Sequence, residues 1–430
     1  MLAVLFQLES SQWLASEELL ALQRLQLAKV LAHALSTVPH YQESFQDIRM
    51  KRPADFTWEA WRQLPLLTRR AVQTAGTRLL STAVPAGHGS LCRMQTSGST
   101  GTPVTTYGTD VSQLFWKVFG LRDHLWHGRD FTAKHAFIRS MRGLKPGDSG
   151  QAANWGLSTA PVFATGPAVR MSILTDVAAQ AEWLMQQAPG YLLSYPSNIL
   201  ALARLFRERN WQLPGLKEVR TIGETVGGDV REICQEVWGA PVKDMYSSQE
   251  IGYIALQCPG HEHYHVQSEA VLVEVLDDAD VPCPPGGIGR VVVTALHNFT
   301  MPLLRYELGD YAEVGEPCPC GRGLPVLTRI LGRQRNILTA PDGRKYWPSF
   351  PASKWADSAP VRQVQIIQTD MEKLTVNLVA DRALLEEEER RLIEGLRALL
   401  PYPFQVSLSF VERIERSRSG KYEDFVSLVG

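Results

Sequence analysis

The sequence predicts an α/β protein, with a large N-terminal multi-layer α/β domain followed by a small α+β C-terminal lid domain. Three observations carry this prediction. Helical and strand patterns interleave between residues 110 and 330: apolar strand-like runs stand at Ala136 to Arg139, Glu218 to Ile222, Val271 to Leu276 and Val291 to Leu296, with helical periodicity at Val230 to Trp238 among them. After Arg333 the pattern changes, and QVQIIQ, KLTVNLV, ALLEEEERRLIEGLRALL and QVSLSFV spell strand, strand, helix, strand over roughly 100 residues, closed by the polar segment RSRSGKYEDF. The third observation is composition. A chain of 430 residues with 44% hydrophobic and 21% charged residues holds two or three domains and excludes disorder, collagen-like repeats and coiled coil. The boundaries follow as 1–332 for the large domain, 333–336 for a hinge and 337–430 for the lid.

Ahead of the interleaved region, LLALQRLQLAKVLAHAL repeats leucine and alanine at helical spacing, which predicts a surface helix from Ser16 to about Leu35. STVPHYQESF and LPLLTRRAVQ then predict a loop, a short helix, a proline-started turn and another helix. Lys+Arg at 44 against Asp+Glu at 45 leave a net charge of -1, so no global field attracts nucleic acid or anionic lipid. The opening MLAVLFQLESSQWLASEELL lacks a basic leader and reaches Glu9 early, unlike a signal peptide. No apolar stretch approaches the roughly 20 residues of a membrane helix, so the expectation is a cytoplasmic chain without nucleic-acid or membrane partners. Six cysteines in a chain this long do not make a disulfide framework; their clustering near Cys318 and Cys320 suggests reduced thiols or a metal.

Three segments carry chemistry. In Thr96-Ser97-Gly98-Ser99-Thr100-Gly101-Thr102-Pro103, small residues let backbone amides approach an anion while hydroxyls surround it, which suits phosphate; the lysine and spacing of a Walker A loop are absent. Composition alone reads the same run as a flexible Ser/Gly loop. Tyr246-Ser247-Ser248-Gln249-Glu250 places an acid after a hydroxyl-rich turn, suited to Mg²⁺ shared with phosphates, the alternative being a capping box leading into IGYIAL. Met301 to Asp310, MPLLRYELGD, puts a carboxylate after a glycine, able to bind a diol such as ribose.

In this order and spacing the three segments resemble the adenylate-forming superfamily of acyl-coenzyme A ligases and adenylation domains, and within it phenylacetate-coenzyme A ligase and its capsule-biosynthesis relatives. The runs VPHYQESF, LPLLTRRAV, MQTSGSTGTP, YLLSYPSNILALA, TIGETVGGDVRE, MYSSQEIG, NFTMPLLRYELGD, CPCGRGLPVLTRILGR and RSGKYEDF carry the resemblance over almost the whole chain. It implies an adenylation core over 1–332 and an ATP/AMP site in which Thr96, Ser97, Gly98, Ser99, Thr100 and Gly101 hold phosphates, Glu250 holds magnesium and Asp310 the ribose. Gly223, Glu224 and Thr225 match the segment lining the adenine; Tyr246, with Ser247 following it, matches the aromatic beside it. Arg333 matches the arginine before the hinge, and Lys421 the C-terminal lysine that reaches carboxylate and α-phosphate. The implied reaction activates a carboxylic acid, aryl or small organic, as its acyl-adenylate with loss of pyrophosphate, then transfers the acyl group to coenzyme A. Ser247 and Gln249 replace the family's glycine and threonine, and Gln334, Arg335 or Asn336 its hinge aspartate. Another acceptor (a carrier-protein thiol or an amine), another oxyanion substrate, a non-catalytic nucleotide-binding homologue, a zinc-bearing scaffold and a homodimer stay open.

A further constellation, Cys258-Pro259-Gly260-His261-Glu262-His263-Tyr264-His265 with Cys318-Pro319-Cys320-Gly321, offers two thiols on a knuckle plus a distant cysteine and histidine, which meets the tetrahedral demand of structural zinc. Cys258, His265, Cys318 and Cys320 are the expected ligands, with His265 preferred over His261 on the spacing seen in some phenylacetate-ligase relatives. Trp116, Trp126 and Trp155 lie where an acyl pocket would form, and His124, His127 and His135 are expected to be ordinary core or solvent histidines.

Overall fold

The computed structural model describes residues 1–46, 52–96, 103–141, 143–333, 336–348, 355, 358–417 and 420–429. They form two compact units: Met1–His135, Gln151–Ala168 and Lys243–Ile330 make the first, and Ala136–Gly150, Val169–Val242 and Leu331–Gly430 the second.

In the first unit, the predicted helix runs Ser16–Thr37, with the Glu18 carboxylate accepting from Ala15 N at 3.0 Å to cap its start. Its Leu27, Val30, Leu31 and Ala34 fall on one face and enter a core with Tyr41, Trp61, Leu304 and Tyr306. Pro39 cannot continue the helix and begins the next one, Pro39–Ser44. An antiparallel sheet runs in the spatial order Val271–Leu276, Ile288–Ala295, Tyr306–Val314, Val326–Arg333, Tyr264–Val266, Gly252–Gln257 and Val242–Ser248.

In the second unit the strands are ordered Glu218–Ile222, Tyr191–Ser194, His135–Arg139, Ala168–Ser172 and Ser149–Ala152. Tyr191–Ser194 pairs in parallel with Glu218–Ile222 and is buried throughout, as a strand covered on both faces must be. Helices Val177–Gln187, Pro196–Glu208 and Gly228–Trp238 supply Leu184, Ile199, Phe206 and Val237 to its core. Gly239, at φ +62°, ends the last of these in the left-handed conformation that glycine adopts without cost.

The chain from 338 onward builds a smaller sheet with its own core of Leu338, Ile366, Leu374, Leu392, Phe404 and Phe425. Its four strands are ordered Gln405–Phe410, Lys373–Ala380, Val361–Asp370 and Phe425–Ser427, with helix Glu386–Arg397 between the second and third in sequence to pair. The last strand is not in the sequence expectation: Phe425 pairs with Ile366 in parallel, so the polar tail ends as an ordered strand just after Lys421.

Candidate active site

The hydroxyl-rich segment is the loop of a β-hairpin, Leu91–Gln95 against Thr105–Thr109, with Gln95 facing Thr105. Thr96 closes its neck: its N donates to Val104 O and its Oγ1 accepts from Val104 N, both at 2.9 Å. Ser97, Gly98, Ser99, Thr100 and Gly101 lie outside the described residues. Arg69 then ties the neck to the expected magnesium carboxylate. Its Nη2 donates to Thr96 Oγ1 at 3.2 Å and its Nη1 stands 3.6 Å from Oε1 of the buried Glu250.

Arg69 is placed by a second arginine. Arg305, in the RYELGD run, is buried with a left-handed backbone (φ +47°). Its guanidinium pairs with Glu274 at 3.2 Å and donates to the carbonyls of Arg62 and Leu64 at 2.6 Å each, while its own carbonyl accepts from Leu67 N at 2.9 Å. Removing Glu274 would leave a buried unpaired cation, at a cost of about 3–5 kcal/mol. The anchored 62–67 segment leads directly into helix Arg69–Ala75, N-capped by Thr68 Oγ1 on Ala71 N. Neither arginine was singled out from sequence, though both stand in runs that carry the resemblance.

The Tyr246 hydroxyl donates to Asp310 Oδ2 at 2.8 Å, and both residues are buried. Three strands lie between theirs in the sheet, a distance of about 19 Å if the sheet were flat. The bond therefore requires a strongly curled sheet. Gly309, at φ +83°, turns the chain just before Asp310. The half-buried Ser247 follows Tyr246 in strand Val242–Ser248, and Ser248 Oγ accepts from Ile251 N at 3.2 Å across the turn that holds Glu250. Because IGYIAL continues as strand Gly252–Gln257, this turn joins two strands and the capping-box alternative is not what forms.

Beside Glu250 opens a pocket walled by Phe115, Trp116, Phe119, Tyr253 and His297. The His297 ring stacks on Phe115 with centroids 4.1 Å apart, and Trp116 meets Tyr253 edge-on at 4.8 Å. Burial lowers the pKa of His297 while its Nε2 donates to Glu269 O at 3.0 Å, so the ring is neutral at pH 7. Of the three tryptophans considered, Trp116 is the one in this wall. Trp126 packs against His265 and Arg322, and Trp155 against His124 and His135. His124, His127 and His135 are core residues; the Asp123 carboxylate lies 3.6 Å from His127 Nε2 and 2.6 Å from Arg129.

The second unit gathers the remaining site residues. Gly223, at φ +78°, approaches Lys421 so closely that a Cβ there would lie 3.2 Å from Lys421 Cε, and a Cβ on Gly332, beside Arg333, would lie 2.9 Å from Thr225 Oγ1. Glu224 takes Tyr422 N at 2.6 Å on one carboxylate oxygen and Ser197 N at 3.0 Å on the other. Burial raises the pKa of Glu224, opposed by these amides and by Arg416.

In the first unit, the donor atoms of Cys258, His265, Cys318 and Cys320 all lie within 4.8 Å of one another. Cys258 Sγ is 3.9 Å from Cys318 Sγ, and Cys320 Sγ 3.4 Å from His265 Nε2. Burial pushes the His265 pKa down to about 4, so the ring presents a neutral nitrogen, and pushes the Cys318 thiol up to about 12. At Cys320 burial acts in the same upward sense, but the backbone amide and guanidinium of Arg322 outweigh it and lower the thiol's pKa. Two buried thiols, a third beside an arginine and a neutral imidazole fit a tetrahedral ion of the zinc type. His261 is not in this group; His263, with Nε2 2.9 Å from Cys318 Sγ, borders it.

Comparison with known proteins agrees with this architecture. Residues 353–427 match the CapK C-terminal domain. The chain is 32% identical over 157 residues to phenylacetate-coenzyme A ligase of Thermus thermophilus, covering 35% of each chain, and 23% identical over 242 residues to Protein CapK of Staphylococcus aureus, covering 54% of this chain and 51% of that one. The matches thus span about a third and about half of the length of these relatives. The crystal structure of 2-hydroxyisobutyryl-CoA ligase in the postadenylation state with R3-HIB-AMP superposes with a TM-score of 0.74 at 19% identity, covering 97% of this chain and 91% of the other. Among the described residues no helix is long and apolar enough to cross a membrane. The chain has the adenylate-forming ligase fold and is related to phenylacetate-coenzyme A ligase and CapK.

Proposed function

We propose that this protein is an AMP-forming acid–thiol ligase: it activates a carboxylic acid with ATP and passes the acyl group to coenzyme A. The observation that carries the reading is the convergence of Thr96, Glu250, Tyr246 and Asp310 at one end of strand Val242–Ser248, through Arg69 on one side and the Tyr246–Asp310 bond on the other. The carboxylate oxygen of the acid attacks the α-phosphorus, the bond to pyrophosphate breaks, and the acyl-adenylate remains. Asp310, oriented by Tyr246, offers its carboxylate to the ribose hydroxyls. Gly223, Glu224 and Thr225 offer the adenine a segment whose Glu224 carboxylate is already occupied, so its contact there is through backbone. Lys421 and Arg333 stabilise the charge that builds on carboxylate and α-phosphate oxygens, and the 96–101 loop positions the departing phosphates. Glu250 offers the carboxylate for Mg²⁺, which when bound neutralises phosphate charge. Cys258, His265, Cys318 and Cys320 hold a structural zinc.

The aromatic pocket beside Glu250, with its neutral histidine, favours an uncharged aryl group on the acid. Residues 1–332 serve as adenylation core, 333–336 as hinge and 337–430 as lid, whose rotation admits the thiol after adenylation. The sequence at the hinge, where Gln334, Arg335 or Asn336 stands in place of the resembled family's aspartate, favours, as a second reading, the same adenylation with a carrier-protein thiol or amine as acceptor.

Pyrophosphate release with ATP, Mg²⁺ and a panel of aryl, aliphatic and amino acids, with and without coenzyme A, tests the proposal. Release stimulated by an aryl acid and accelerated by coenzyme A is expected. Stimulation indifferent to coenzyme A selects the second reading, and silence across the panel with ATP bound overturns both.

A further inference from the structure

Lys421 sits on a tight turn that the Glu224 carboxylate ties to the start of a helix in the same unit. The turn is closed by Ser417 N donating to Lys421 O and Gly420 N donating to Ser417 O, each at 2.8 Å. Gly420, at φ +80°, packs where a Cβ would come within 2.5 Å of Ile173 Cγ2, so the turn lies flat against its neighbours. Directly after Lys421, Tyr422 N donates to Glu224 Oε1 at 2.6 Å, and Glu224 Oε2 accepts from Ser197 N in the first turn of helix Pro196–Glu208 at 3.0 Å. Arg416 completes the arrangement: its Nη1 lies 4.0 Å from Glu224 Oε1 and donates to Ser197 Oγ at 2.9 Å and Gly420 O at 3.0 Å. Only 10% of the Glu224 side chain is exposed.

Each oxygen of this carboxylate thus holds a different piece of chain: one takes the lysine turn, the other a helix start. A carboxylate accepting from two backbone amides with a guanidinium nearby is among the stronger brackets a protein can build, because both hydrogen bonds are charge-assisted.

We infer that Glu224 is a positioning residue: through Tyr422 it latches the described residues 420–422 and thereby sets how much of the time Lys421 stands ready for adenylate formation. The inference rests on the role proposed above for Lys421, whereas the latch itself rests on the hydrogen bonds alone. A step that does not use Lys421, such as thiol transfer from a preformed acyl-adenylate, needs no latch.

Hydrogen exchange on the full chain, with Glu224→Ala and the near-isosteric Glu224→Gln, tests the latch. Amides of 417–422 are expected to exchange about 10- to 100-fold faster in Glu224→Ala, the worth of a lost charge-assisted bond. Glu224→Gln, which keeps one acceptor oxygen, should fall between, and strand Gln405–Phe410 should be unchanged in both. Pyrophosphate release at saturating ATP and acid should fall by a similar factor in kcat, with the KM for ATP within about threefold. Unchanged exchange at 417–422 overturns the latch. Faster exchange with undiminished release overturns the positioning role, while a wild type silent on every acid overturns the proposed reaction and leaves exchange to decide the latch. If Glu224→Ala does not fold, Glu224→Gln alone carries the comparison.

Discussion

At the scale of single residues, hydrogen bonding decides which groups remain available for chemistry. Asp310 stands after a glycine, a feature visible in sequence, but its hydrogen-bond partner Tyr246 is 64 residues away and meets it only because the sheet curls. Tyr246→Phe leaves Asp310 without its orienting donor, and we expect the KM for ATP to rise about 5- to 10-fold with kcat little changed, read from initial rates. For Glu224, the engagement of its carboxylate with Tyr422 and Ser197 depends on a fold that no spacing encodes. His297 gives a pH prediction. Burial lowers its pKa, so below about 6.5 the unfolded chain takes up a proton that the folded chain refuses. The stability it contributes is complete above that pH and is lost as pH falls through it. Urea midpoints at pH 7.5 and pH 5 should therefore differ more for wild type than for His297→Gln; equal differences would contradict the assignment.

Among elements, periodicity foretold those with a long apolar repeat or a clear stop. Ser16–Thr37 was expected from Ser16 to Leu35, and the three strands and helix of the C-terminal sheet were read from alternation and an acidic first turn. Leu2–Ser11 and Phe425–Ser427 were not, the first because ten residues of mostly apolar chain carry no distinct stripe, the second because three residues after a polar run make no pattern at all. Phe425–Ser427 exists through tertiary pairing with Ile366, Ile367 and Gln368. The cluster of Cys258, His265, Cys318 and Cys320 is likewise an element-scale construction, in which strand Tyr264–Val266 delivers His265 and the 318–320 knuckle delivers two thiols. We expect the purified protein to hold about one zinc per chain by elemental analysis and Cys318→Ser to lose it. Metal-free wild type would remove zinc from the account.

For the whole molecule, net charge is near zero and no helix among the described residues is long and apolar enough to cross a membrane. Of the expected site residues, Thr96, Glu250, Tyr246 and Asp310 belong to the first compact unit, and Gly223, Glu224, Thr225, Arg333 and Lys421 to the second. The grouping of 331–430 with 136–150 and 169–242 was not legible in sequence, where composition shifts only near Arg333. It arises from contacts such as Tyr422 with Glu224, made at a separation of 198 residues. By the proposed function, this chain makes an acyl-adenylate with Lys421 as the group that stabilises its formation. Mass-spectrometric detection of the adenylate, formed from ATP and the acid that best stimulates pyrophosphate release, tests it most directly when wild type is compared with Lys421→Ala. The account predicts adenylate from wild type and a loss of about 100-fold or more in the variant with its fold retained. Equal adenylate from both proteins would contradict it.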